Sequence, residues 1–232
     1  MDRHMFDQIA KITDSLFLSS AAAVRGDRVV GLGITHIINC TMDVPNLNVA
    51  NVECIQIHVD DTPSARLSLY FDRCSDKIDQ IARRGGRALV HCVAGVSRSA
   101  SLCIAYLMKH HHMSLRQAYW HVRARRSVIH PNFGFWRQLI DFERRLTGST
   151  SVKMIHSGIG YIPDVLEEET RNMIWFGPQS TAYSRAYGGG TLRSDRGSSN
   201  SIGSSSSSGG GGATYRSSYG GGGTYRSRYG RY

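Results

Sequence analysis

The sequence has no long hydrophobic run. None of its segments approaches the roughly 18 consecutive apolar residues needed to span a bilayer, which argues against a membrane-embedded chain. Its first fifteen residues, MDRHMFDQIAKITDS, carry Asp2 and Asp7 and no continuous apolar stretch, so a secretory signal is not expected. Cysteine is sparse, odd in number and scattered, at Cys40, Cys54, Cys74, Cys92 and Cys103. A disulfide framework uses an even set in an oxidising compartment, so these five read as reduced thiols of the cytoplasm, and also of the nucleus.

Two further scarcities fall in one place. Residues 181–232 hold one acidic residue, Asp195, against seven arginines, and after Leu192 their only aliphatic residue of size is Ile202. Of the formal net charge of +10, +6 therefore lies in the last 52 residues and only +4 in the first 180. The same segment holds seven of the eleven tyrosines, in words such as TYRSSYGGGG and TYRSRYG set among Gly and Ser blocks. Such a stretch cannot offset its ordering entropy by burial and reads as a disordered tail over 181–232. Arg and Tyr on a Gly/Ser chain are also the materials of weak RNA binding, by stacking on bases and contact with phosphates.

The first 150 residues alternate strand-like and helix-like patterns. Residues 34–39 (ITHIIN) and 87–91 (RALVH) are short apolar runs bounded by glycine or polar residues, as buried parallel strands are. Residues 54–59 alternate, placing Ile55, Ile57 and Val59 on one face. Residues 67–82 space Leu69, Phe71, Ile78 and Ile81 as on a helix, and 97–109 is a compact helix rich in Ala, Leu and Ile. Ser114 and Gln117 form a capping-box pattern opening a helix through Trp120 and Val122. Pro131-Asn132 precede an amphipathic helix carrying Phe135, Trp136, Leu139, Ile140 and Phe142. The expected fold class is α/β, a mostly parallel central sheet flanked by helices on both faces. Residues 151–180 keep enough apolar content to pack on this domain as an ordered extension, although they lack a clear period.

The chemistry concentrates in LVHCVAGVSRSAS, residues 89–101. A buried strand ends at His91-Cys92, five residues with a central glycine follow, and Arg98-Ser99 head a helix. Backbone N–H groups of residues 93–98 wrapped about one point make an anion-binding nest, and the helix N-terminus adds its dipole. Gly95 lets the loop take a positive φ and keeps side chains out of the cradle. Arg98 offers a planar fork to two oxygens of a tetrahedral oxyanion. Cys92 lies at the base of this positive field, which favours a thiolate. Ser99 is placed to donate to that sulfur and stabilise it as a leaving group. A thiolate beneath a bound phosphate is poised for in-line attack at phosphorus.

His91-Cys92-x5-Arg98-Ser99 resembles the protein tyrosine phosphatase signature, and AGVSRS is the form seen in dual-specificity phosphatases. ITDSLFLSSAAAV, INCT, LSLYFD, CIAYLM and PNFGFWRQLIDFE resemble that family in order and spacing. The words STSVKM and IPDV resemble the extension of its small atypical members. The resemblance covers about 170 residues and implies a protein tyrosine phosphatase-like fold, with the catalytic domain in 1–150. It implies a phosphate-binding loop of Val93, Ala94, Gly95, Val96, Ser97 and Arg98, and hydrolysis through a phosphocysteine. No metal or other cofactor is expected.

The family's general acid is an aspartate on a loop before the signature. Asp60 and Asp61 are both available, and the spacing to Tyr70-Phe71 fits Asp61. Continued alternation would also put Asp61 on the face of Ile57 and Val59, though loop residues need not obey it. Asn132 and Asn39 are supporting candidates. Asn132 equally suits a helix N-cap, and Asn39 a satisfied core position. His91 is expected to orient the surroundings of Cys92, with no proton-transfer role.

The loop side chains Val93, Ala94, Val96 and Ser97 carry no charge, which favours a single phosphate on a protein over polyphosphorylated ligands. The resemblance implies phosphoprotein partners bearing phosphotyrosine and phosphoserine or phosphothreonine, with MAP kinases or their upstream kinases as examples by family analogy. A phosphate-binding module without turnover is the rival reading, against which Cys92, Arg98 and an upstream Asp all stand. His110-His111-His112 reads as a solvated helix end rather than a metal site. Arg123, Arg125 and Arg126 read as a solvated basic face. Cys40 and Cys103 read as core residues, with a disulfide to Cys92 as the alternative.

Overall fold

A computed structural model describes residues 7–175, with side chains described to residue 171. The tail read from composition as disordered, a quiet extension with weak RNA binding as the alternative, lies outside the described residues. No described helix is long and apolar enough to cross a membrane.

The fold is built on a five-stranded sheet of order β1-β2-β5-β3-β4. The strands are β1 (Ala10–Lys11), β2 (Leu16–Ser20), β3 (His36–Asn39), β4 (Glu53–Gln56) and β5 (Ala88–Cys92). Only β1 is antiparallel, against β2; β2, β5, β3 and β4 pair in parallel. The central strand β5 is buried at all five positions, as a strand covered on both faces must be. The pleat sends Ala88, Val90 and Cys92 to one face and Leu89 to the other.

Helices cover the two faces unequally. On the Leu89 face, Val29 of the short α1 (Gly26–Gly31) packs with Phe17, Ile34 and Ile37. On the Cys92 face lie α2 (Phe71–Arg83), α3 (Arg98–His110), α4 (Leu115–Arg125) and α5 (Phe133–Thr147). The middle helix, α3, is buried continuously from Arg98 to Met108, the signature of a helix surrounded by other elements. Each Leu or Ile fully buried there contributes about 1.5–3 kcal/mol. The Tyr119 and Trp136 rings, with centroids 4.9 Å apart, join α4 to α5. Ser114 caps α4 in the expected capping box, and Asn132 caps α5 by accepting from Phe135 N–H at 3.0 Å.

Three elements depart from the sequence reading. The helix expected over 67–82 begins as a 3-10 turn, Leu67–Tyr70, before α2. That turn rotates Leu69 out to 70% exposure, so it is not part of the core. Strand β2 and helix α1 carry no distinctive period of their own. His110 is no merely solvated helix end: its ring bridges Asp76 at 3.0 Å and Asp79 at 3.6 Å, tying α3 to α2. Among the described residues no His, Cys, Asp and Glu group has metal-site spacing.

The described part of the extension forms the hairpin β6 (Met154–Ser157) and β7 (Gly160–Pro163), a 3-10 turn (Asp164–Leu166) and α6 (Glu167–Trp175). Val152, Val165 and Leu166 join the main core. A single buried carboxylate fastens its start. Glu143 on α5 accepts from Leu115 N–H at 2.7 Å, Ser151 N–H at 2.8 Å and Ser151 Oγ at 2.7 Å. Glu143→Ala strands buried donors on two elements, and hydrogen bonds to a charged group contribute about 1.5–3 kcal/mol each. We expect a loss of about 2–4 kcal/mol in urea unfolding of the full chain; a midpoint within error of the wild type would contradict this role.

Candidate active site

Strand β5 delivers Cys92 to the carboxyl end of the parallel sheet, the end where open α/β sheets bind ligands. Residues 93–97 then turn into α3. What shapes this loop is how its carbonyls are held. Val93 C=O accepts from Ala21 N–H at 3.1 Å, and Val96 C=O from His130 N–H at 2.8 Å. Ala94 C=O and Gly95 C=O both accept from one side chain, Arg126, through Nη2 at 3.0 Å and Nε at 2.8 Å. In a trans peptide the carbonyl and the following N–H point opposite ways. Four carbonyls tied outward therefore turn the N–H groups of Ala94, Gly95, Val96 and Ser97 inward.

The inward side holds the thiol. Gly95 N–H donates to Cys92 Sγ at 3.2 Å, and Ser99 Oγ donates to the same sulfur at 3.2 Å. Gly95 has φ +68°, and a Cβ there would run into the Ser19 carbonyl of β2, so both conformation and space require glycine. Arg98 is 8% exposed; its Nη1 donates to Val59 C=O at 3.1 Å, and its Nε lies 3.4 Å from Asp61 Oδ2. That Nε makes no hydrogen bond among the described residues, so the guanidinium keeps a donor for an oxyanion.

Asp61 is held over this cradle. Its Oδ1 accepts from Ser97 Oγ at 2.6 Å and from Asn132 Nδ2 at 2.9 Å, while Ser97 Oγ accepts from Asn132 N–H at 3.1 Å. Asp60 is exposed, with no hydrogen bond or ion pair among the described residues. Asn132 thus serves as helix cap and as aspartate partner together. Ser97, expected only as a loop residue, is the bridge between loop and aspartate.

Asn39 does not join this group. Its side chain donates to Val44 C=O and Asn46 Oδ1 and accepts from Thr41 Oγ1, so it shapes the 41–46 loop. His91 falls on the sheet face opposite Cys92, because neighbouring residues of a strand point apart. Burial pushes its pKa down to about 4, against a backbone hydrogen bond at Cys92, and the ring is neutral. The other buried sulfurs of the Cys92 face are free thiols: burial raises Cys40 and Cys103 well above the usual range and Cys74 to about 12.

Such a site, a thiol under inward amides with an arginine fork and an aspartate above, suits nucleophilic displacement at a bound phosphate. Comparison with known proteins agrees. The dual specificity phosphatase catalytic domain family matches residues 16–145. The chain belongs to this family. Human dual specificity protein phosphatase 14 is 50% identical over 167 residues, 72% of this chain and 84% of that protein. Rat dual specificity protein phosphatase 18 is 46% identical over 167 residues, 72% of this chain and 82% of that protein. The crystal structure of human DUSP28 superposes with a TM-score of 0.58 at 34% identity, covering 60% of this chain and 94% of that one. The chain is a cysteine-dependent dual-specificity protein phosphatase, and phosphoproteins are its substrates.

The sequence reading of this phosphatase missed two residues that shape the site. Arg126 was expected on a solvated face, yet it is 1% exposed, because the outward loop carbonyls and Gln8 C=O consume its guanidinium. Arg123 likewise folds inward, to Ile129 C=O at 2.8 Å. Gly134, in the first turn of α5, lets the loop after Asp61 lie directly on that helix: a Cβ would land on the Pro63 backbone. Its sequence signal was only a glycine near a helix start. Gly134→Ala should displace that loop and cut turnover by about 10²-fold, the scale of a 1 Å misplacement, with the fold retained by circular dichroism. Wild-type turnover would show that the contact is not needed.

His91 also makes a pH prediction. Its folded pKa of about 4 lies below the ordinary 6.5, so its contribution to stability is full above 6.5 and is lost as pH falls towards 4. His130, likewise lowered by burial, adds to the same slope. Urea unfolding between pH 6.5 and 4.5 should show falling stability, with a shallower slope in His91→Asn. An unchanged slope would contradict a buried neutral ring.

Proposed function

We propose that Cys92 Sγ attacks phosphorus in line, the leaving oxygen takes a proton from Asp61, and a phosphocysteine forms. Water, giving a proton back to Asp61, then attacks phosphorus and the Cys92 thiolate leaves. Arg98 and the inward N–H groups of 94–97 hold the equatorial oxygens as charge develops on them, the largest kind of catalytic term. Ser99 Oγ–H stabilises the departing sulfur. The observation carrying this reading is the pair of 3.2 Å donors on one sulfur, from Gly95 and Ser99, beside an Arg98–Asp61 ion pair.

The substrate reading rests on the same loop. With no charged side chain at Val93, Ala94, Val96 or Ser97, nothing in the loop selects for a second phosphate on the same group. This supports single phosphotyrosine and phosphoserine or phosphothreonine side chains, and we extend it to MAP kinases or their upstream kinases. The test is phosphate release from a doubly phosphorylated Thr/Tyr peptide. Cys92→Ser should abolish turnover, Asp61→Asn should reduce it about 10²–10⁴-fold, and Asp60→Asn should leave it intact. A normal rate in Asp61→Asn with a loss in Asp60→Asn would move the acid. No turnover by folded, reduced wild type would leave a phosphoprotein-binding module.

A further inference from the structure

The segment from Arg126 to Asn132 meets both the loop and Asp61. It supplies Arg126 to two loop carbonyls, His130 N–H to a third, and Asn132 to both Ser97 and Asp61. Its middle is held by the Ile129 side chain, fully buried in the main core, and its backbone there by one outside side chain. Arg123, at the end of α4, donates from Nη1 to Ile129 C=O at 2.8 Å, one residue before His130. The other arm of the same guanidinium, Nη2, meets Glu169 Oε1 at 2.6 Å. Glu169 belongs to α6, in the extension beyond the family match, which ends at residue 145.

We propose that Arg123 and Glu169 are positioning residues for Asp61, so that the extension takes part in catalysis through this ion pair. This rests on Asp61 being the general acid. A guanidinium is a rigid fork, and anchoring one arm fixes where the other points. The pair is largely shielded, with side-chain exposures of 22% for Arg123 and 30% for Glu169, and the Tyr119 ring lies 5.8 Å from the guanidinium carbon. Removing the carboxylate frees Arg123 to turn to solvent, and the Ile129 carbonyl loses its fixed donor. The Asn132 contact to Asp61 lies three residues further along and inherits that freedom. The extension stays attached, because Glu143 holds Ser151, Arg116 pairs with Asp164 at 2.7 Å, and Val165 and Leu166 are in the core.

The test separates acid positioning from stability. A good leaving group such as 4-nitrophenolate departs with little help from an acid, whereas phenolate needs its proton. With the full chain, Glu169→Ala and Arg123→Met should lower kcat/KM, which reports only the steps up to the phosphocysteine, about tenfold on phenyl phosphate, part of what a general acid contributes, and change kcat/KM on 4-nitrophenyl phosphate less than about twofold. Glu169→Gln, which keeps an oxygen acceptor for Arg123, should restore most of the rate. Asp61→Asn run alongside should show the same leaving-group dependence, only larger. Equal losses of kcat/KM on the two esters, or a lowered thermal midpoint with unchanged kcat/KM on phenyl phosphate, would overturn the proposal. If Asp61→Asn itself shows no leaving-group dependence, the acid assignment fails and this inference falls with it. If only the Arg123 and Glu169 variants lack it, the coupling alone is wrong.

Discussion

The outward tethering of four consecutive carbonyls is the constraint on which the site depends. A loop of short side chains between a strand and a helix has many conformations, and nothing in Val93-Ala94-Gly95-Val96 selects one. The donors that select it come from elsewhere: Ala21 N–H, the Arg126 guanidinium and His130 N–H. Because peptide units are planar, fixing the oxygens fixes the N–H groups. The positive cradle is thus preorganised before any phosphate arrives, which is what makes fixed dipoles effective in catalysis.

Burying Arg126 to achieve this is expensive in isolation, since a charge leaves water. Burial does lower its pKa. Three carbonyls, those of Ala94, Gly95 and Gln8, give its donors partners, and hydrogen bonds to a charged group are the stronger kind. The same segment then turns into α5 through Asn132, whose side chain and backbone serve helix, loop and aspartate at once. The loop carbonyls and the Asp61 carboxylate are thus held by one stretch of chain.

The cysteines show how environment divides one residue type into two roles. Cys40 and Cys103 are wholly buried without a donor from a positive loop, and burial holds them as thiols. Cys92 is as buried, at 1% exposure, yet two donors converge on its sulfur and Arg98 stands at the rim. Only the last arrangement suits an attacking sulfur.

Much of this was legible in the chain because it is local. The strand at 87–91, the five-residue turn, Arg98 and Ser99 follow one another, so spacing alone reveals a cradle, and the Ser114–Gln117 box and the 133–147 helix follow from capping and period. Asp61 needed the family resemblance, since two adjacent aspartates are locally equivalent. What stayed hidden depends on distant partners. Three arginines in four positions look solvated until Arg126 meets the Gly95 carbonyl 31 residues away. Asn132 reaches Asp61 across 71 residues, and Gly134 matters only because the Pro63 backbone lies against it. Leu69 fell outside the core because a 3-10 turn, not an α-turn, begins that helix. Sequence determined which groups could do the chemistry, since residue type and short spacing are written in order along the chain. Tertiary structure decided which aspartate meets Ser97 and Arg98, which arginine is buried, and that the extension pairs Glu169 with Arg123, because those follow from packing between segments that sequence order keeps apart.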